Sequence, residues 1–325
     1  MRLSRESLMR EAAALDFRPD ILEKVLRLTA LLNAFSRHPR LSQTLALKGG
    51  TALNLFLFDL PRLSVDIDLN YIGAEDREAV NEERPEIEKE IEAVCRREVL
   101  NVQAPKPSHA LTSWSLVYDS ALGGRDRIKV DVNYQYRVPL WEPQRRSSIA
   151  TLPFPATDVL LMDEYELAGG KLTALLARRK SRDLFDAHAL LREHRLPDTL
   201  RLRQAFVLYG AMNIEDWRKI GVEDIVPATE RMESELFPLL RNGSRERSTL
   251  EIVEYKARLT QECQQALAIV LPLSEPERSF LDALAERGSI EPQYLTDDAS
   301  LSDKICRHPA LLWKAFNVRK HRGLG

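Results

Sequence analysis

The chain has 325 residues, 44% hydrophobic and 30% charged, which suits one large buried core or two of ordinary size and excludes disordered, collagenous or coiled-coil classes. Its 47 Lys and Arg against 49 Asp and Glu leave a net charge of −2, so a polyanionic partner must be met by a local patch. Cys95, Cys263 and Cys306 form no CxxC pair or zinc-finger spacing, and the charged N-terminal stretch and the lack of a long apolar run point to a cytoplasmic protein without a membrane span.

Residues 1 to 40 read as helical, with Ile21, Val25, Leu28 and Leu32 at helical spacing and Pro19 and Pro39 as brackets. A short apolar run at 45–47 predicts a strand. Lys48-Gly49-Gly50-Thr51 then predicts a turn opening an amphipathic helix through Ala52, Leu53 and Leu55. In Val65-Asp66-Ile67-Asp68-Leu69-Asn70-Tyr71 apolar and polar residues alternate, the period of a strand buried on one face. A charged helix follows over about 76–97, with a solvated face. Strands are expected near 113–120 and 128–136, on either side of Gly123-Gly124.

Prolines 139, 143, 153 and 155 mark a linker, since proline continues neither helix nor ladder. After it the composition turns helical: 163–179, 182–195, 199–210, 223–240 and the long run 247–271. The expected organisation is α+β, a core over 1–155 and a helical domain over 156–325. Asp163 and Glu166 suggest a capping box for the first helix of that second half.

Asp66 and Asp68, at i and i+2 of one strand, project from the same face and concentrate negative charge, which a hard divalent cation such as Mg²⁺ neutralises. The same rhythm in Ile128-Lys129-Val130-Asp131-Val132 offers Asp131 as a third acid from another strand, although Lys129 could simply balance it. Two acids on one strand and one on a neighbour are the set that lets metal ions bridge an attacking oxygen and a leaving phosphate. Upstream, Gly49 and Gly50 allow close backbone approach to phosphate, and Thr51 is positioned to cap the helix or donate to the anion.

The stretch KGGTALNLFLFDLPRLSVDIDLNY, residues 48 to 71, resembles the opening motif of the AbiEii/MenT nucleotidyltransferase toxins, within the DNA polymerase β-like superfamily. EYELAGGKLTALLARRKSRDLFDAHALL, residues 164 to 191, resembles that family's second block. The resemblance implies a polymerase β-like core joined to a helical domain, an NTP substrate with Mg²⁺, and a cognate antitoxin as partner. It also implies transfer of NMP to RNA, with the 3′ end of tRNA as acceptor and translation as the process inhibited. Asp66, Asp68 and Asp131 then carry over as catalytic metal ligands. Lys171 and Asp183 carry over as active-site residues, and Lys48, Gly49, Gly50, Thr51, Ser64, Lys129, Lys171 and Arg178 as the nucleotide-binding set. Ser64 is also where some relatives have a serine open to phosphorylation.

Lys171 and Arg178 are seven apart on one helix and share a face, so both are expected to reach toward a triphosphate. Asp183 is expected to orient Lys171 or a neighbouring base, or to pair with Arg182. Two glycines before Lys171 cost a helix about 1 kcal/mol each and imply close approach of another group. Arg178, Arg179, Lys180 and Arg182 are the first candidates for an RNA surface, ahead of Arg319-Lys320-His321-Arg322 and Arg145-Arg146. His188, within its helix, is expected to have a packed or hydrogen-bonded core role rather than a catalytic one. Transfer to a protein or small molecule, or nucleotide-gated binding without turnover, are the alternative readings.

Overall fold

The computed structural model describes residues 3–192, 196–213, 215–226, 232–242 and 249–323. The chain divides into two compact units. The first comprises Met1–Arg137, Pro143–Met162 and Glu233–Arg247; the second comprises Val138–Glu142, Asp163–Met232 and Ser248–Gly325. Among the described residues no helix is long and apolar enough to cross a membrane.

The first unit opens with α1 (Arg5–Leu15) and α2 (Pro19–Ser36). The helical run expected over 1–40 is thus two helices, broken where Asp16 adopts a left-handed φ of 59° and Pro19 restarts the next one at its first turn. Leu22, Val25, Leu26, Leu28, Leu31 and Leu32 of α2 are at most 1% exposed, each contributing roughly 1.5–3 kcal/mol of burial. After α3 (Leu41–Thr44) come β1 (Leu45–Lys48), α4 (Gly49–Ala52) with a π turn over Leu53–Leu57, and β2 (Asp66–Tyr71). The helix expected after Gly49 is present as α4 running into the π turn, but it is buried from Thr51 to Phe56 rather than amphipathic, because it lies inside the unit.

Helix α5 (Arg77–Arg97) starts on Asp76, whose carboxylate accepts from the amides of Glu78 and Ala79. The remaining strands are β3 (Asn101–Val102), β4 (Lys106–Pro107), β5 (Leu111–Asp119), β6 (Arg125–Asn133), β7 (Gln144–Arg146) and β8 (Val159–Leu161). They form one mixed sheet ordered β3-β5-β6-β2-β1-β8-β7, with β4 paired to β5. Strand β6 ends earlier than its alternation suggests, since the Asn133 side-chain oxygen accepts from the amides of Gln135 and Tyr136 and turns the chain.

The proline-rich stretch does not separate the units at 155. β8 lies beyond it and pairs parallel with β1 and antiparallel with β7, so the sheet unit runs on to Met162. Residues 138–142 go with the helical unit, where the Trp141 amide donates to Glu166 Oε2 at 3.2 Å and the Arg201 guanidinium stacks on the Trp141 and Tyr165 rings.

The second unit contains α6 (Glu164–Arg178), α7 (Ser181–Arg192), α8 (Thr199–Ala211), α9 (Thr249–Ala266), α10 (Glu275–Asp282), α11 (Ala299–Arg307) and α12 (Pro309–Arg322). The helix expected over 223–240 is absent from the described part, which holds only single turns at Val222–Asp224, Met232–Leu236 and Phe237–Leu239; residues 227–231 lie outside the described residues. The end of that stretch belongs to the sheet unit, where the Leu63 amide donates to the Leu239 carbonyl and Arg241 Nη1 to the Leu15 carbonyl.

Candidate active site

Strand pairing assembles the candidate site on one face of the sheet unit. β2 and β6 run parallel with Asp68 opposite Asp131 and Asp66 opposite Lys129. On the other side of β2, Lys48 of β1 stands opposite Asp68, and on the other side of β6, Ser113 of β5 stands opposite Asp131. One row across four strands therefore reads Lys48, Asp68, Asp131, Ser113. Ile67, Leu69, Val130 and Val132, on the opposite face, are at most 2% exposed, so core packing sets the register that aims the acids outward. Asn70 continues the polar positions of β2 but is fully buried, which confines the candidate site to Asp66 and Asp68 on this strand.

The acids differ in their partners. Ser113 Oγ donates to Asp131 Oδ1 at 2.6 Å, and Lys129 Nζ donates to Asp131 Oδ2 at 2.5 Å. Two carboxylates one strand spacing apart, about 4.8 Å, repel by roughly 3 kcal/mol at an effective dielectric near 20. Lys129 offsets part of this. Burial lowers its pKa, but the hydrogen bond to Asp131 and the charges of Asp131, Asp66 and Asp68 outweigh that and raise it above the ordinary lysine range.

The glycine turn is tied to the same carboxylates. Gly49 has φ +75°, and a Cβ there would lie 2.6 Å from Asp68 Oδ2, so both conformation and contact demand glycine. Thr51 does not fit its expected role. It is fully buried, and its hydroxyl donates to the Asp66 carbonyl, locking the turn onto β2 instead of presenting a donor to phosphate. Lys48 lies over the Tyr136 ring at 5.2 Å. Ser64, in the loop before β2, is 7% exposed.

In the helical unit Lys171 projects from α6 toward α7, with its ammonium 2.8 Å from Asp183 Oδ1 and 2.9 Å from Asp186 Oδ2. All three side chains are at most 7% exposed. Arg178 approaches the same Asp183 oxygen at 3.3 Å, so Lys171 and Arg178 share a face as their spacing requires. The partner they share is Asp183. Burial pushes the Asp183 pKa up, but the charges of Lys171 and Arg178 prevail and hold it below the usual carboxylate range. Lys171, buried between two carboxylates, joins α6 to α7 and is not displayed as an exposed phosphate ligand.

The two glycines before Lys171 mark a close approach, as expected, but by a helix: a Cβ on Gly169 would lie 2.7 Å from the backbone carbon of Ala205 in α8. Asp163 caps α6 by accepting from the Tyr165 amide at 3.0 Å. Glu166 does not complete a capping box; it is buried against the Trp141 amide and the Tyr209 hydroxyl, and burial pushes its pKa up to about 7. His188 bonds to Glu262 of α9, in keeping with a packing role. Arg178, Arg179 and Lys180 are exposed where α6 passes to α7, with Arg179 left-handed at φ 54° and 3.4 Å from Asp224, while Arg182 is half-buried.

Two residues escaped the sequence reading. Asp186 sits three positions after Asp183 on α7, a helical spacing that could have signalled a shared face. Ser113 occupies a polar position of an alternating strand, but its place beside Asp131 depends on a hairpin register that local pattern does not reveal.

The carboxylate oxygens of Asp66, Asp68 and Asp131 are the hard donors that Mg²⁺ takes, and strand register brings two of them face to face. Among the described residues no three metal-ligating side chains close on one point, and Asp131 is engaged by Ser113 and Lys129. The chemistry of these oxygen donors fits a divalent cation.

Comparison with known proteins places the fold and the family. No curated protein matches the sequence. Among solved structures the chain is similar to MenT4, a nucleotidyltransferase toxin from Mycobacterium tuberculosis H37Rv, with a TM-score of 0.62 and 20% identity over 96% of this chain and 99% of that one. That likeness extends to the whole α+β arrangement, the mixed sheet and the C-terminal helices. The family model for the nucleotidyl transferase AbiEii toxin of type IV toxin–antitoxin systems matches residues 30–285, and the chain therefore belongs to the AbiEii nucleotidyltransferase toxin family.

Proposed function

We propose that this toxin moves an NMP from an NTP to an RNA, with the 3′ end of tRNA as acceptor, and so blocks translation until a cognate antitoxin restrains it. One observation carries the reading: Asp68 and Asp131 are direct partners on adjacent parallel strands, with Asp66 two residues before Asp68 on the same face. Asp66, Asp68 and Asp131 are the residues that would hold Mg²⁺. When bound there, the cation would neutralise charge on the phosphates and favour the attacking hydroxylate.

The chain's own part is positioning. Gly49 keeps the turn close to Asp68, and Thr51 holds that turn to the backbone of Asp66, so the carboxylates keep their spacing. Lys48 and Lys129 stand beside Asp68 and Asp66 in the strand register, where their ammonium groups can meet the phosphates of an NTP. Lys171 acts as a positioning residue, fixing α6 to α7 through Asp183 and Asp186 and so setting where Arg178, Arg179 and Lys180 emerge. These exposed cations are the surface the reading assigns to RNA.

The test is transfer of label from each of the four α-³²P NTPs, with Mg²⁺, to total cellular RNA, comparing wild type with Asp66→Ala. The expected result is a labelled band of tRNA size, at least about a thousandfold weaker in the variant, and declining steeply with salt as a polyanionic acceptor requires. Label in protein or small-molecule fractions would replace the acceptor. Silence with every NTP would overturn turnover itself.

A further inference from the structure

The acid-bearing face contains its own cation. Lys129 lies two residues before Asp131 on the same side of β6, and its ammonium contacts Asp131 Oδ2 while Ser113 holds Oδ1. Its cross-strand neighbour is Asp66, one step from Asp68. Lys129 is thus tethered to one carboxylate, Asp131, with Asp66 beside it in the register. The Lys129 side chain is 54% exposed, against 16% for Asp131, so the pair is anchored at the acid and loose at the base. Lysine is a compact charge on a flexible four-carbon stem, without the planar fork that would fix it to one carboxylate.

Hard divalent ions and ammonium groups seek the same carboxylate oxygens, and an ammonium held 2.5 Å from Asp131 Oδ2 repels a cation that would bind there. We infer that Lys129 is a built-in counter-ion of the carboxylate face: it holds Asp131 in the metal-free protein, competes with a divalent cation for it, and is released toward the nucleotide when the cation arrives. This inference rests on the reading of Asp66, Asp68 and Asp131 as metal ligands. Ser113 complements Lys129, because a neutral donor orients Asp131 without competing for its charge.

The experiment is titration of the full-length protein, without nucleotide, with Mn²⁺ as probe, reading free Mn²⁺ by electron paramagnetic resonance. Wild type is compared with Lys129→Met, Lys129→Arg and Asp68→Asn. Position 129 lies on an exposed strand face, so these replacements leave the core untouched. Removing the competing charge is expected to tighten Mn²⁺ binding about tenfold in Lys129→Met, whereas Lys129→Arg, which keeps a cation in reach, stays within about threefold of wild type. Asp68→Asn is expected to lose the site. Unchanged or weaker binding in Lys129→Met, with the site still lost in Asp68→Asn, overturns the counter-ion and leaves the metal site standing. Unaltered Mn²⁺ binding in Asp68→Asn overturns both, because the ion then binds elsewhere.

Discussion

Each unit of the molecule contains a lysine against aspartates at hydrogen-bonding distance, yet the two clusters are built for opposite ends. Lys129 reaches Asp131 from a half-exposed strand face, and its neighbours Asp66 and Asp68 are themselves partly open. Lys171 is 7% exposed and meets Asp183 and Asp186, at 6% and 0%. Water screens the first pair and can replace either partner, so its net contribution to stability is small. In the second, three charges have left water together, and removing the lysine takes away the cation that the two acids share. The same two residue types thus give an exchangeable contact where a ligand must enter and a permanent one where two helices must stay joined.

The largest test of that contrast is thermal unfolding of Lys171→Met beside Lys129→Met. Loss of Lys171 exposes Asp183 and Asp186 to burial without their main cation and should cost about 3–5 kcal/mol, lowering Tm by roughly 10 °C, with Arg178 only partly compensating. Lys129→Met should change stability by no more than about 1 kcal/mol. Equal losses would erase the distinction between the two clusters.

A smaller effect is expected from Gly169→Ala, which probes why α6 can present Lys171 at all. The new methyl would press on the Ala205 backbone, which cannot swing aside, so overpacking of about 1–3 kcal/mol should exceed the roughly 1 kcal/mol gained in helix propensity. Calorimetry showing a stabilised variant would mean that α8 is free to yield.

The smallest effect concerns Glu166, a buried acid held by the Trp141 amide and the Tyr209 hydroxyl. Burial raises its folded pKa to about 7 from an ordinary 4.5, so the folded chain holds the proton more tightly than the unfolded chain. Its contribution is full below pH 4.5, declines as pH rises through the interval, and is lost above about 7. Glu166→Gln, which cannot ionise, should therefore gain in Tm relative to wild type between pH 5 and 8, by a few degrees at the upper end. A difference in Tm that is constant across that range would show that Glu166 titrates no differently in the folded state.

Much of this was legible in local pattern. Alternation in 65–71 and 128–134 is a period-two signal, and it set Asp66 with Asp68 on one face and Asp131 on another strand of the same kind. Asp163 announced the start of α6, the GlyGly pair a close contact, and the motifs at 48–71 and 164–191 the family. Such signals survive because a residue's neighbours along the chain create them. Which strand lies beside which is a different matter: the pairing of Asp68 with Asp131 joins residues 63 positions apart through a crossover containing α5 and β5. Burial is likewise collective. Nothing near Thr51 in sequence says that it turns inward to a carbonyl, and nothing near Lys171 says that it is buried. Sequence by itself determined which side chains could do the chemistry and which face each would take. Only tertiary structure decided their partners, because register, burial and counter-charge come from segments that meet in space and not along the chain.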